Sequence, residues 1–196
     1  MKLLGSKLED YIAVFENVIS KSDCMFIRSE YTNDPLLAPA VIAGKIGEDS
    51  QVDYEARKVL DLNISDPYIV NKNEHRQRIE KLLLEYTKDV VYRYGIEIST
   101  QFTVEHASTL TYLKYKKGDF FKSHTDDSPK NRRVLSIIFA LNDDFQGGEF
   151  EFFKEDKYIL KQPMGSALVF PSNFLYPHEV REIKNGEKHS IIIWIT

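Results

Sequence analysis

Cysteine is almost absent from this sequence: Cys24 is the only one among 196 residues. A single thiol excludes an internal disulfide and any site built from several thiolates, and it points to a reducing, intracellular setting. Long hydrophobic runs are missing too. The most apolar stretch, Ile191 to Ile195, falls far short of the roughly 20 residues that span a bilayer. The start, Met1 to Leu8, is too short and too interrupted by Gly5 and Ser6 to form a signal-peptide core. The expectation is therefore a cytoplasmic protein with no membrane contact. Positive charge is not in excess either. With 26 Lys+Arg against 30 Asp+Glu the net charge is -4, so no nucleic-acid partner is expected, although a local basic patch stays open.

What is present suits one globular domain over residues 1–196. Hydrophobic residues make up 42% and charged residues 29%, ordinary values for a chain with a real core. No internal repeat or low-complexity tract divides it. The first part, about 1–100, carries helical signals. Ser20 with Asp23 three positions on resembles a capping box. Ile79, Leu82, Leu83, Tyr86 and Val90 recur at helical spacing, which predicts a helix over about 73–94 with Gly95 as its stop. Its other face is charged (Glu80, Lys81, Glu85, Lys88), so it reads as a support helix with no catalytic role. Thr32 to Ala56, with Pro35, Pro39, Gly44 and Gly47, lacks periodicity; a surface connection and a lid over a site are equally good readings.

From about 101 onward the texture is that of strands. Runs at Thr109–Lys116, Arg133–Leu141, Glu149–Phe153, Tyr158–Lys161, Ala167–Phe170 and Ser190–Thr196 are separated by turn signals such as Lys117-Gly118, Gly147-Gly148 and Asn185-Gly186. The fold class is therefore α+β, mainly β: an antiparallel jelly-roll core over about 101–196 with flanking N-terminal helices.

Of five histidines, two have informative neighbours. In His124-Thr125-Asp126, residues i and i+2 of an extended strand project from one face, so an imidazole and a carboxylate can reach one spot. Alone, such a pair is commonly a hydrogen-bonded surface feature. His178, in Tyr176-Pro177-His178-Glu179-Val180, is alone commonly a turn histidine. Together the three form a set of two imidazoles and one carboxylate, which on one face of an octahedral ion leaves three adjacent positions open. That suits non-haem Fe(II), with zinc as the inorganic competitor. Lys188 follows ten residues after His178, beyond the Asn185-Gly186 turn. A hairpin-like return would bring it beside the His178 segment, where a cation can pair with a distal carboxylate; the alternative is a solvent-exposed lysine.

These residues fall in blocks. Tyr115 through Gly118 and Phe121 to His124 and Asp126 resembles a Tyr-x-x-Gly-x-x-aromatic-x-x-His-x-Asp block. Leu141-Asn142 to Gly147-Gly148-Glu149, Pro163 to Pro171, and His178 through Lys188 to Trp194 supply three more, in order. In them the chain resembles the prolyl 4-hydroxylase-like branch of the Fe(II)/2-oxoglutarate-dependent dioxygenases over roughly Thr109 to Thr196. A weaker likeness covers Phe15 to Ser20 and Cys24. The resemblance implies a double-stranded β-helix, with His124, Asp126 and His178 as Fe(II) ligands. It implies that Lys188 binds the C5 carboxylate of 2-oxoglutarate, where many relatives carry Arg; a lysine offers a point charge in place of a bidentate fork. Tyr115 would assist through its hydroxyl, or serve only in packing, and Ser190 points the same way as Lys188. The implied reaction consumes 2-oxoglutarate and O2, gives succinate and CO2, and hydroxylates a C–H bond; ascorbate is a further candidate cofactor. A prolyl residue of a peptide or protein is the first candidate substrate. Another side chain, a free amino acid or a small metabolite would be served by the same chemistry. A non-catalytic, cupin-like metal-binding barrel and a zinc hydrolase are the readings from other classes.

Overall fold

The computed structural model describes residues 7–42, 49–101, 107–129, 132–155 and 157–196. Its N-terminal part contains strand β1 (Ala13–Phe15), helix α1 (Lys21–Tyr31), short strands β2 (Ala38–Pro39) and β3 (Arg57–Lys58), strand β4 (Leu60–Asn63), and helices α2 (Pro67–Val70) and α3 (Glu74–Glu97). The rest is β: β5 (Thr111–Tyr115), β6 (Phe120–His124), β7 (Leu135–Ala140), β8 (Gln146–Gly147), β9 (Phe150–Phe152), β10 (Tyr158–Leu160), β11 (Ala167–Pro171), β12 (His178–Val180), β13 (Ile183–Asn185) and β14 (Lys188–Ile195).

The caps explain the helix starts. Ser20 Oγ accepts the Asp23 amide at the head of α1, as its spacing predicts, and Asn73 Oδ1 accepts the Arg76 amide at the head of α3. Gly95 does not stop α3. It is buried inside the helix, which runs to Glu97, and Ser99, at φ 56°, takes the left-handed position beyond the end. A mid-helix glycine costs only about 1 kcal/mol relative to alanine, which the packing of Val91 and Tyr94 before it and Ile98 after it readily offsets.

The strands form two antiparallel sheets and a separate two-stranded pair. The larger sheet has the order β1-β11-β7-β14-β5-β4-β2, the smaller β10-β9-β12-β6-β3, and β13 pairs with β8. Three of the seven large-sheet strands come from the first hundred residues, β4 beside β5, β2 beyond it and β1 at the far edge, where the periodicity signals only helices. These strands are two to four residues long, too short for an alternating pattern to stand out. The Thr32 to Ala56 stretch contains β2 and a bridge from Ile42 to Gln51; its residues 43–48 lie outside the described set, as do 102–106.

Alternation in the central strands separates two cores. On β14, Ile191, Ile193 and Ile195 face the helices together with Leu135, Ile137 and Phe139 of β7 and Ile79, Leu83 and Val90 of α3. The alternate residues turn the other way. Ile192, Ile138 and Leu113 of the large sheet meet Phe150, Phe152 and Val180 of the small sheet in a second core between the sheets. The functional cavity opens beside this second core.

Candidate metal centre

β6 and β12 are neighbours in the small sheet, and His124 and His178 are direct Cα partners across them. A cross-strand pair points both side chains to one face, so the two rings come together with centroids 4.3 Å apart. β6 ends at His124, and Asp126 lies in the following turn rather than on the extended strand that the sequence suggests. It is turned inward from the other sheet: Ser136 Oγ on β7 donates to Asp126 Oδ2 at 2.5 Å and shares a 2.8 Å hydrogen bond with Ser172 Oγ. Among the described residues, His124, Asp126 and His178 form the group of His, Cys, Asp and Glu side chains whose ligand atoms lie within 4.8 Å of one another.

The donor set fits a divalent ion. His124 Nε2 is 3.5 Å from Asp126 Oδ1, and His178 Nε2 is 3.8 Å from Asp126 Oδ2. Those separations lie within the ~4 Å that two ligands, each about 2 Å from a common ion, can span. Each ring turns its Nδ1 toward a backbone carbonyl, Lys122 O at 2.9 Å and Tyr176 O at 3.1 Å. With the Nδ1 proton held there, the Nε2 lone pair faces the carboxylate and is free to bind metal. Burial and the neighbouring His124 hold His178 down to about 4, against the pull of Asp126, so the ring is neutral at physiological pH. Burial alone would raise the Asp126 carboxyl, but His178, His124 and the Ser136 hydroxyl outweigh it and hold it far below the usual carboxylate range. A neutral imidazole facing an ionised carboxylate is the protonation pattern that a metal needs.

The same cavity, about 510 Å³ in volume, is lined by Tyr115, Lys188, Ser190 and Trp194 beside the three candidate ligands. β14 does not return beside the His178 strand, as the turn at Asn185-Gly186 suggests. It sits in the large sheet between β5 and β7, because β13 turns aside to pair with β8. Lys188 therefore enters the cavity from the wall of the large sheet while His124 and His178 belong to the small one. Lys188 is buried, its Nζ donates to Gly148 O at 2.7 Å and lies 4.0 Å from the Phe150 ring centroid. Burial pushes its ammonium down to about 7, with Glu149 acting in the opposite direction. Tyr115 is the Cα partner of Lys188, and burial pushes its hydroxyl up to about 12, so it stays a hydrogen-bond donor. Lys188, Ser190, Ile192 and Trp194 all line the cavity, the period-two face of one strand.

Several contributors carry no local sequence signal. Ser136 sits in an apolar strand. Phe121 stacks on His124 with centroids 3.5 Å apart, and the Arg57 guanidinium carbon lies 4.6 Å from the Phe121 centroid. The Arg133 guanidinium carbon lies 3.5 Å from the Trp194 ring centroid, and its Nη1 donates to Asp126 O at 3.0 Å. Burial and the charge of Arg57 lower its pKa, with Asp126 opposing. Of these, only Trp194 could have been found from sequence, by following the alternation of β14 away from Lys188.

Comparison with known proteins agrees with this geometry. Residues 110–196 match the family model of the 2OG-Fe(II) oxygenase superfamily. A PKHD-type hydroxylase of Idiomarina loihiensis is 30% identical over 98 residues, covering 46% of this chain and 43% of that protein. A PKHD-type hydroxylase of Prochlorococcus marinus is 35% identical over 85 residues, 40% of this chain and 37% of that protein. The chain thus matches about two fifths of the length of these relatives. In fold, it resembles a prolyl hydroxylase from Trichoplax adhaerens solved with a hypoxia inducible factor peptide (TM-score 0.76, 15% identity, 94% of this chain and 83% of that one). It also resembles a Pseudomonas putida prolyl-4-hydroxylase (TM-score 0.68, 20% identity, 94% and 92%). The likeness to the 2OG-Fe(II) oxygenase superfamily thus covers residues 110–196, the part that holds His124, Asp126, His178 and Lys188, and the likeness to the two prolyl hydroxylase structures shows a double-stranded β-helix fold.

Proposed function

We propose that this protein is a 2-oxoglutarate-dependent dioxygenase that hydroxylates a C–H bond, with a prolyl residue of a peptide or protein as the leading substrate. The observation that carries the chemistry is the convergence of His124 and His178 from the small sheet and Asp126 from the turn after β6 on a cavity that also receives Lys188 from the large sheet. Bound Fe(II) with 2-oxoglutarate would supply oxidative decarboxylation to succinate and CO2, coupled to insertion of one oxygen atom into the substrate.

The chain's own residues do the rest. His124 and His178 offer Nε2 donors, and Asp126 offers a carboxylate whose orientation Ser136 fixes. Lys188 would hold the C5 carboxylate of 2-oxoglutarate by a charge-assisted hydrogen bond, and Tyr115 would add a neutral one. Phe150, Ile138, Leu113 and Val180 line the walls and keep water from the space between. The prolyl substrate is supported by the relatives, which bear the names of PKHD-type and prolyl hydroxylases. A free amino acid or small metabolite would use the same iron chemistry. The buried Lys188 argues against a metal-binding barrel without a cosubstrate, since a desolvated lysine with one carbonyl partner is costly unless an anion joins it.

The test is an anaerobic titration of the protein with Fe(II) and then 2-oxoglutarate, followed by oxygen and a panel of proline-containing peptides. A visible charge-transfer band and succinate production are expected, with one oxygen atom gained by a peptide. Iron binding with no band would return the protein to the metal-barrel reading. A band with no peptide product would remove the prolyl substrate alone.

A further inference from the structure

Lys188 stands where the large sheet supports it on one side only. Among the described residues, β14 is paired with β5 from Lys188 onward but with β7 only from Ser190 onward. One further backbone bond follows on the β7 side, from Leu141 N to His189 O at 3.0 Å. Beyond it the side chain of Asn142 takes over. Asn142 is buried, and its carboxamide is fully engaged. Oδ1 accepts the His189 amide at 2.7 Å, and Nδ2 donates to Glu187 O at 2.8 Å and to Asp144 Oδ1 at 2.6 Å. The partners fix which end is which, since a backbone N–H only donates and a carbonyl only accepts. One side chain thus holds the residue before Lys188 and the residue after it.

The same stretch of chain holds the other end of the lysine. Asn142 lies just after β7 and Gly148 just before β9, and Gly148 O accepts from Lys188 Nζ at 2.7 Å. The turn at Gly186 packs closely on this stretch, since a Cβ there would lie 3.2 Å from Asp144 O and from Phe145 Cα. On the helix side, His189 is fully buried, with Nδ1 2.8 Å from Tyr112 Oη. This anchoring matters because a lysine is a point charge on a long, flexible stem. Its ammonium meets an anion at a set place only if the backbone under the stem is fixed, and a displacement of about 1 Å can cost on the order of 100-fold at a positioned contact. Strand ends are where local opening is easiest. Asn142 supplies the rung that β7 no longer provides.

We propose that Asn142 is a positioning residue for Lys188: its carboxamide fixes the backbone on either side of the lysine, so that the ammonium meets the distal carboxylate of 2-oxoglutarate. The proposal rests on the oxygenase reading and on the role given there to Lys188. The lining of the cavity does not include Asn142, so its effect on the cosubstrate passes through Lys188. It therefore bears on the distal end of 2-oxoglutarate and leaves the end that faces the metal untouched.

The experiment loads the full chain anaerobically with Fe(II) and compares, by calorimetry, 2-oxoglutarate with oxalate, which chelates a metal but has no distal carboxylate to reach Lys188. Asn142→Ala should weaken 2-oxoglutarate by about tenfold, as loss of a supporting hydrogen bond commonly does, and leave the affinities for oxalate and Fe(II) unchanged. In a Lys188→Ala background the same substitution should cost 2-oxoglutarate nothing further, because residues that act through one another are not additive. Asn142→Asp keeps the volume and the Oδ1 acceptor but loses both Nδ2 donors. It should also weaken 2-oxoglutarate selectively, and it carries the test if the alanine variant does not fold. Equal losses for 2-oxoglutarate and oxalate, no loss for either, or an undiminished loss in the Lys188→Ala background overturns the role. Failure of both variants to fold does so too, and assigns Asn142 to stability alone. A wild-type protein that shows no charge-transfer band with 2-oxoglutarate overturns the oxygenase reading, and unchanged 2-oxoglutarate affinity in Lys188→Ala overturns the role of Lys188. Either result removes the present proposal with it, whereas failure at Asn142 alone leaves both standing.

Discussion

His178 faces His124 directly across the β12–β6 ladder, and each ring sends its Nδ1 to a carbonyl two residues earlier in the chain. Two strands that share a register thus deliver two Nε2 donors to one point without any contribution from loop flexibility. The arrangement holds only while Asp126 completes it from the turn beyond β6, and Ser136 is what orients Asp126.

His178→Ala should therefore lower Fe(II) affinity by more than ~100-fold, because it deletes a ligand outright, while removal of a supporting hydrogen bond costs about 10–100-fold. Ser136→Ala tests that second case. It should weaken Fe(II) by about 10–100-fold and keep the fold. Equilibrium dialysis with Fe(II) separates the two; wild-type affinity in Ser136→Ala would show that Asp126 is oriented by something else.

Lys188→Ala should weaken 2-oxoglutarate by about 10–100-fold, the worth of a charged hydrogen bond, and leave Fe(II) binding in place. A pH effect goes with it. Burial lowers the Lys188 ammonium from 10.5 to about 7. Folding thus favours its neutral form: the penalty is full below pH 7 and fades as the pH rises toward 10.5. Binding of a dianion needs the charged form, so 2-oxoglutarate affinity should fall above pH 7, and binding at pH 8 should take up a proton. Calorimetry in two buffers of different ionisation enthalpy reads that uptake, which Lys188→Ala should abolish.

Acid should destabilise the metal-free protein through His178. Its pKa falls from 6.5 in the unfolded chain to about 4 in the fold. Between these values the unfolded chain binds a proton that the native one does not, so stability declines as the pH drops from 6.5 to 4, by on the order of 3 kcal/mol for this group. Asp126 is lowered as well and adds its own loss only below the usual carboxylate range. Urea melts at pH 7 and pH 4.5 should show a gap that His178→Ala narrows. An unchanged gap would mean that other groups govern the acid transition.

Gly148→Ala should harm both stability and the cosubstrate site. Gly148 has φ 70°, and an added Cβ would collide with Ile183 Cδ1 and lie 3.3 Å from Lys188 Cδ. Strain of this kind costs about 1–3 kcal/mol. A fall in melting temperature with a weaker 2-oxoglutarate titration is expected; loss of stability with unchanged affinity would detach Gly148 from the placement of Lys188.

The residues most legible in the sequence were those whose chemistry is rare and whose neighbours are patterned. His124, Asp126, His178 and Lys188 stood out by residue type and by the blocks around them, and the long strands β5, β7 and β14 as runs bounded by turn signals. The helical content was legible from a cap pattern at Ser20 and from the apolar period over about 73–94, whereas the cap at Asn73 emerged only in the structure. The short strands β1 to β4 were not, because two to four residues carry no period. Gly95 misled as a stop signal, because a glycine penalty is small beside the burial of its neighbours.

By itself, then, the sequence determined the composition of the centre (two imidazoles, one carboxylate, one lysine) and the alternating strands that could form a jelly roll. Local chemistry and period fix those, and both are written along the chain. Only the tertiary structure decided which wall each group enters from. β14 went to the large sheet instead of beside His178, Ser136 came to hold Asp126, and Arg57 and Arg133 came to flank the ligands. Such placements depend on strand order and register between segments far apart in sequence, and no local preference encodes them.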